Sequence, residues 1–209
     1  MRAASALEVR LWLVALACFV LFFVLGSLVS SRPPSRVDLA GAALRGELTP
    51  LASFFTALGR TFPVIAVAVF AAVVALAARA NAWPVAAIFV SQLLSQGVVG
   101  FIKPIFHRMR PDHWLLYREK DLSFPSGHAT TSIVFFAALA LVAWRSPSLP
   151  RPLASTCAAA AAICVVGIPW SRLALGAHYV TDVTGGLLFG TGWLCVVVAL
   201  ALRFGAVAV

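Results

Sequence analysis

The sequence predicts an all-α membrane protein: a six-transmembrane-helix bundle with a short amphipathic interfacial helix between its first and second spans. Two observations carry this. First, 62% of the 209 residues are hydrophobic and only 11% are charged, with a mean hydropathy of +0.98. A soluble domain is about 45–50% apolar and about 25% charged. So few charges cannot cover a water-facing surface, which excludes disordered chain, collagen-like repeats and an ordinary cytosolic globule. Second, the apolar residues are gathered in long uncharged blocks, without the alternation of roughly ten-residue barrel strands.

Six blocks reach the length of about 18 residues that crosses a hydrocarbon core of roughly 30 Å at about 1.5 Å per residue. They are Leu11–Val29, Thr61–Ala78, Ala82–Ile102, Gly127–Trp144, Leu153–Trp170 and Tyr179–Leu202. Arg2 and Arg10 give the first block the look of a secretory signal. It exceeds the usual 7–15-residue signal core, however, and no A-x-A-like site precedes Ser30-Ser31-Arg32-Pro33-Pro34, so it is read as a retained helix. The whole of residues 1–209 is expected to form a single integral-membrane domain.

Residues 30–60 and 103–126 are long polar connections, whereas 79–81 and 145–152 are short and basic. Because spans alternate sides, both long connections and the loop around Arg172 fall on one membrane face. Arg2, Arg10, Arg79, Arg145, Arg151 and Arg203 fall on the other, six of the 16 Lys and Arg residues. A raw count would put the long loops in the cytoplasm. The positive-inside rule, however, weights short loops near helix ends, so charge alone assigns no orientation.

Within the first long connection, Thr49-Pro50 supplies an N-cap and a first-turn proline. Leu51, Phe54, Phe55 and Leu58 follow at helical spacing, with Gly59 at the C-cap. This short helix suits either the interface plane or the mouth of the bundle. Cys18, Cys157, Cys164 and Cys195 all sit inside apolar blocks. There they behave as small hydrophobes and form no metal or redox pair.

Three polar clusters share the long-loop face. The first is Lys103-Pro-Ile-Phe-His-Arg-Met-Arg110-Pro111. Basic residues beside a span often snorkel or meet lipid headgroups, but an Arg fork and a compact Lys charge also suit a phosphate dianion. The second is Phe124-Pro125-Ser126-Gly127-His128, where Ser126 is placed to cap a helix and Gly127 admits a ligand close to free amides. The third is Ser171-Arg172-Leu-Ala-Leu-Gly-Ala-His178-Tyr-Val-Thr-Asp182. His178 and Asp182, four apart, would share one helix face. A carboxylate there would fix the imidazole tautomer and leave the other nitrogen free to attack. An ionisable residue inside a span is a functional candidate because its burial is costly.

Together these clusters closely resemble the three-part signature K-x6-R-P, P-S-G-H and S-R-x5-H-x3-D of the type 2 phosphatidic acid phosphatase (PAP2) superfamily. Every signature position is present, in order, between Lys103 and Asp182. The resemblance implies that His178 is the nucleophile, giving a phosphohistidine, with Asp182 orienting it. His128 would be general acid and then base, while Lys103, Arg110, Ser126, Gly127 and Arg172 hold the phosphate oxygens. It also implies metal-independent chemistry with no cofactor.

Vanadium-dependent haloperoxidases and soluble acid phosphatases share the signature. The apolar composition instead favours a lipid-borne phosphate, presented by the bilayer, and no nucleic-acid partner. The compact chain resembles bacterial members acting on polyprenyl diphosphates such as undecaprenyl diphosphate, or on phosphatidate and phosphatidylglycerophosphate. That implies the bacterial inner membrane, with the site facing the periplasm or exterior. A binding or translocating protein without catalysis is the alternative, but it would have no use for the histidines. Arg108, Arg118 and Lys120 are further candidates for a second phosphate or anionic lipid. The sequence carries no signal for an oligomeric state.

Overall fold

The computed structural model describes residues 5–46, 48–112, 114–116 and 119–204, and no strand occurs among them. The helices are α1 (Ala6–Val29), α2 (Arg36–Gly41), α3 (Thr49–Leu58), α4 (Thr61–Ala77), α5 (Trp83–Phe106), α6 (Gly127–Arg145), α7 (Arg151–Ala174) and α8 (Val180–Arg203). Arg2 and Arg118 lie outside the described residues. Five helices, α1, α5, α6, α7 and α8, are long and apolar enough to cross a membrane alone. The bent pair of α3 and α4, which meet at 65°, passes the same test only when the two helices are taken together.

Several helices run past their apolar blocks. Helix α1 starts five residues before Leu11, where Ser5 accepts from the Glu8 amide at 3.1 Å. Helix α5 continues through Lys103 and Pro104 until His107 adopts a left-handed conformation (φ 45°). Helix α7 extends through Ser171 and Arg172 to Ala174. Helix α3 starts at Thr49, so Leu48, not Thr49, is its N-cap, and Gly59 is its C-cap. Its buried face is Ala52 and Thr56, with Leu51 and Phe54 pointing outward. The small residues let α3 lie close along α7, where Phe55 meets Trp170 edge-on at 6.3 Å.

Helix α6 widens to a π-helix over Ser132–Ala137. The hydroxyls of Thr130, Thr131 and Ser132, at its start, bond back to the carbonyls of Ser126, Gly127 and Ala129, competition that loosens an α-helical ladder. Large apolar side chains face outward, including Phe70 at 67% and Phe101 at 77% exposure, as a lipid solvent allows. The molecule is an integral membrane protein.

One aromatic core fixes the site's foundation. Phe22, Phe106, Phe124 and Phe189 pack together, with Phe22 stacked on Phe124 at 5.4 Å. Phe124 therefore anchors the start of α6 between α1, α5 and α8. Gly186 lets α8 press against the same point, since a Cβ there would stand 2.4 Å from the Ser126 carbonyl oxygen. Backbone bonds from Ser126 to Asp182 (3.0 Å) and from Gly46 to Ala174 (2.9 Å) tie the long connections into one end of the bundle.

Candidate active site

The three motif clusters converge at that end. A pocket of about 560 Å³ is lined by Lys103, Arg110, Gly127, His128 and His178, together with Gly59, Arg60, Gln96, Glu119 and Asp121. Ser126, Arg172 and Asp182 stand behind this lining, each at most 2% exposed. The Ser126 hydroxyl caps α6, accepting from the Ala129 amide at 3.4 Å.

His178 does not share a helix with Asp182. Helix α8 begins at Val180, where Asp182 closes a capping box by accepting from the Tyr179 amide at 2.8 Å. The box brings Oδ2 of Asp182 to 3.5 Å from Nδ1 of His178. Ser123 sits between them, its hydroxyl donating a short bond to Asp182 and lying 3.4 Å from Nδ1. On the other edge of the ring, NH1 of Arg110 lies 2.9 Å from Nε2. A guanidinium only donates, so Nε2 presents its lone pair and Nδ1 carries the proton. Burial and the charges of Arg110, Arg172, Lys103 and His128 hold the His178 pKa well below the ordinary histidine value. The imidazole is neutral at pH 7.

Arg108 is not available to lipid. It is 3% exposed, with NH1 2.6 Å from Asp182 and NH2 2.8 Å from Asp38. Asp38, at N3 of α2, is also bonded by the amide (3.0 Å) and hydroxyl (2.7 Å) of Thr181. Burial raises the Asp38 pKa, but these bonds and those from Ser35 outweigh it and hold the carboxyl below its usual range. The Ser35-x-x-Asp38 capping box was the sequence signal for this residue. Ser123, more than fifty residues from its partners, had none. Lys120 is exposed and is not part of the pocket lining.

Two carboxylates cover the cations. Asp121 pairs with Lys103 and, at 2.6 Å, with Arg110. Glu119 reaches Arg110 and Arg172 at 2.8 Å each. For Asp121, burial raises the pKa, yet Lys103 and Arg110 dominate and lower it. His128 lies across the pocket, its Nε2 3.1 Å from the carbonyl oxygen of Thr56. Among the described residues no three His, Cys, Asp or Glu side chains are grouped to hold a metal ion.

Comparison with known proteins agrees with this architecture. Residues 84–205 match the family model of the PAP2 superfamily. The chain is 34% identical over 128 residues to a lipid A 1-phosphatase of Rhizobium etli, covering 56% of this chain and 50% of that one. It is 33% identical over 121 residues to a decaprenylphosphoryl-5-phosphoribose phosphatase of Mycobacterium tuberculosis, covering 56% and 60% respectively. The matches thus span about half the length of these curated relatives. Among solved structures, the fold resembles a transmembrane PAP2-type phosphatidylglycerolphosphate phosphatase from Bacillus subtilis. That likeness has a TM-score of 0.74 at 22% identity, over 90% of this chain and 96% of that one. With the family model reaching from the first turn of α5 to the end of α8, more than half of the sequence, the chain belongs to the PAP2 superfamily.

Proposed function

We propose that this protein is a membrane phosphatase that removes the terminal phosphate of a lipid phosphate monoester or diphosphate through a phosphohistidine on His178. The observation that carries this reading is the environment of His178: a neutral imidazole with Asp182 and Ser123 at one nitrogen and the Arg110 guanidinium at the other. An incoming phosphate dianion would displace Glu119 and Asp121 from Lys103, Arg110 and Arg172. The same cations then hold its oxygens, aided by the amides at the start of α6.

In the first step Nε2 of His178 attacks phosphorus in line, and the P–O bond to the lipid breaks. His128 gives its proton to the leaving oxygen. In the second, His128 takes a proton from water as the water oxygen attacks phosphorus and the N–P bond breaks. Asp182 balances the positive charge that His178 acquires between the steps. Lys103, Arg110 and Arg172 supply fixed charge where the transition state concentrates negative charge, so the reaction requires no metal.

The substrate class is lipid because the pocket opens at the end of an apolar bundle, where a headgroup can enter while its tails stay in the bilayer. Polyprenyl diphosphates and phosphatidate or phosphatidylglycerophosphate fit this description. The relatives' names, each a phosphatase of a lipid-linked phosphate, support it. We place the protein in a bacterial inner membrane with the pocket outward, and read residues 1–209 as one working unit.

Purified protein tests the proposal. Phosphate release from dioctanoyl phosphatidate should survive EDTA, be blocked by orthovanadate, and vanish in His178→Ala along with any acid-labile phosphoenzyme. Binding of the lipid without release would favour a carrier instead, and loss in EDTA restored by Mg²⁺ would refute the metal-free mechanism.

A further inference from the structure

The last turn of α3, which lies outside the residues matched by the family model, touches two motif side chains at once. Thr56 there is 3% exposed. Its carbonyl oxygen accepts from Nε2 of His128 at 3.1 Å, and its hydroxyl accepts from NH1 of Arg172 at 2.5 Å. Three residues on, Gly59 lies against the same imidazole: a Cβ there would stand 2.5 Å from Cδ2 of His128 and 3.1 Å from Cγ2 of Ile168. Both contacts involve the Nε2–Cδ2 edge of the ring. The Nδ1 edge is therefore the one turned away from α3, and the ring lines the pocket together with Gly127 and His178.

A carbonyl oxygen only accepts, so Nε2 carries a proton and the neutral ring keeps its lone pair on Nδ1. From this geometry we infer that Thr56 and Gly59 are positioning residues, which fix His128 so that Nδ1 exchanges the proton and fix Arg172 beside the phosphate site. The inference rests on the phosphatase reading above.

The Thr56 carbonyl does for His128 what the third member of a nucleophile–base array does, holding the ring in one tautomer and one orientation. Its dipole also favours the imidazolium that forms when Nδ1 takes the proton of water. That proton returns to the leaving oxygen of the next substrate, while Nε2–H stays on Thr56. Arg172 depends on the same residue. Its Nε is buried with no partner among the described residues, and its NH2 is held by Glu119. Once phosphate displaces Glu119, the Thr56 hydroxyl is the bond that keeps the guanidinium aimed.

Thr56→Val keeps the carbonyl and loses the hydroxyl, Thr56→Ser keeps both, and Gly59→Ala pushes on the ring. Melting temperatures in detergent establish that each variant is folded. Hydrogen bonds to charged groups are strong, so orthovanadate should bind Thr56→Val about tenfold or more weakly, with Thr56→Ser close to the wild type. Gly59→Ala should slow release from dioctanoyl phosphatidate by about 10²-fold, within the usual range for proton-transfer catalysis. The nitrophenolate burst from p-nitrophenyl phosphate, whose leaving group needs little protonation, should fall far less.

Unchanged vanadate affinity in Thr56→Val, or an equal loss with both esters in Gly59→Ala, would overturn the inference. Wild-type protein that releases phosphate from neither ester would overturn the phosphatase reading instead. The vanadate comparison would still judge the role of Thr56.

Discussion

Arg108 and Asp182 form an ion pair sealed from solvent, with NH1 2.6 Å from Oδ1 and side-chain exposures of 3% and 0%. The second arm of the same guanidinium holds Asp38 at 2.8 Å, so one cation serves two buried carboxylates. This triad seats the Asp182 carboxyl, 3.5 Å from His178, on a buried cation. Removing one member of a buried pair leaves an uncompensated charge, a loss of about 3–5 kcal/mol. Arg108→Met should therefore lower the melting temperature in detergent sharply, and adding Asp38→Asn should recover part of the loss. An unchanged melting temperature in the single variant would mean that the triad does not hold Asp182.

The three motifs were readable because each is a short run of sequence that the fold keeps together. Lys103 to Arg110 is one helix exit, and His178 immediately precedes the Tyr179–Asp182 capping box. The supports of those residues were not readable. Asp38 and Arg108 are separated by 70 positions, and Thr56 and His128 by 72; no local pattern encodes such a pairing. Helices outrun their apolar blocks for a related reason. An apolar count stops at the first charge, whereas α5 and α7 continue until a left-handed residue ends the turn, His107 in one case and Gly176 (φ 68°) in the other. On α3 the hydrophobic Leu51 and Phe54 face outward, as an interfacial helix requires, while close packing against α7 selects Ala52 and Thr56, a choice that hydrophobicity alone does not encode.

Asp121 occupies Lys103 and Arg110, the cations proposed to receive the phosphate. Its side chain is 53% exposed, so the pairs it makes are screened and worth about 0.2–1 kcal/mol each. Asp121→Asn should tighten orthovanadate binding by about two- to fivefold, measured by inhibition of phosphate release. Weaker binding in this variant would show that Asp121 aims the cations and does not compete for them.

Acid should destabilise the fold through His178. The pKa of this ring in the folded state lies below its unfolded value of about 6.5, because burial and the surrounding cations disfavour its charged form. Between the two values the unfolded chain binds the extra proton, so stability present above pH 6.5 is lost as pH falls toward the folded pKa. Asp38 and Asp121, both with lowered pKa values, add losses of the same sign at lower pH. His178→Asn should flatten the dependence of melting temperature on pH between about 6.5 and 5; an unaltered slope would mean that His178 charges freely in the folded state.

The helix ends that build the pocket share one face of the bundle, which the proposed orientation turns outward. Lys120, on the connection that covers the pocket, and Ser148, on the short connection between α6 and α7, are both exposed. In a chain lacking Cys18, Cys157, Cys164 and Cys195, an impermeant thiol reagent should label Lys120→Cys in intact cells but not Ser148→Cys. The reverse pattern would put the pocket in the cytoplasm.

Arg60 is the remaining cation on the pocket lining, at the bend between α3 and α4, and its side chain is exposed. In the proposed mechanism Lys103, Arg110 and Arg172 hold the phosphate being transferred, which leaves the exposed Arg60 as the lining cation for the second phosphate of a lipid diphosphate. Arg60→Gln should therefore raise KM several-fold for a short-chain polyprenyl diphosphate and leave KM for the corresponding monophosphate nearly unchanged. The expected scale is that of a solvent-screened charge pair, about 0.2–1 kcal/mol, which is at most about fivefold. The kcat values should change little, because the group being transferred sits on the inner cations in both cases. Equal effects on the two substrates would instead make Arg60 a general attractor of anionic lipid.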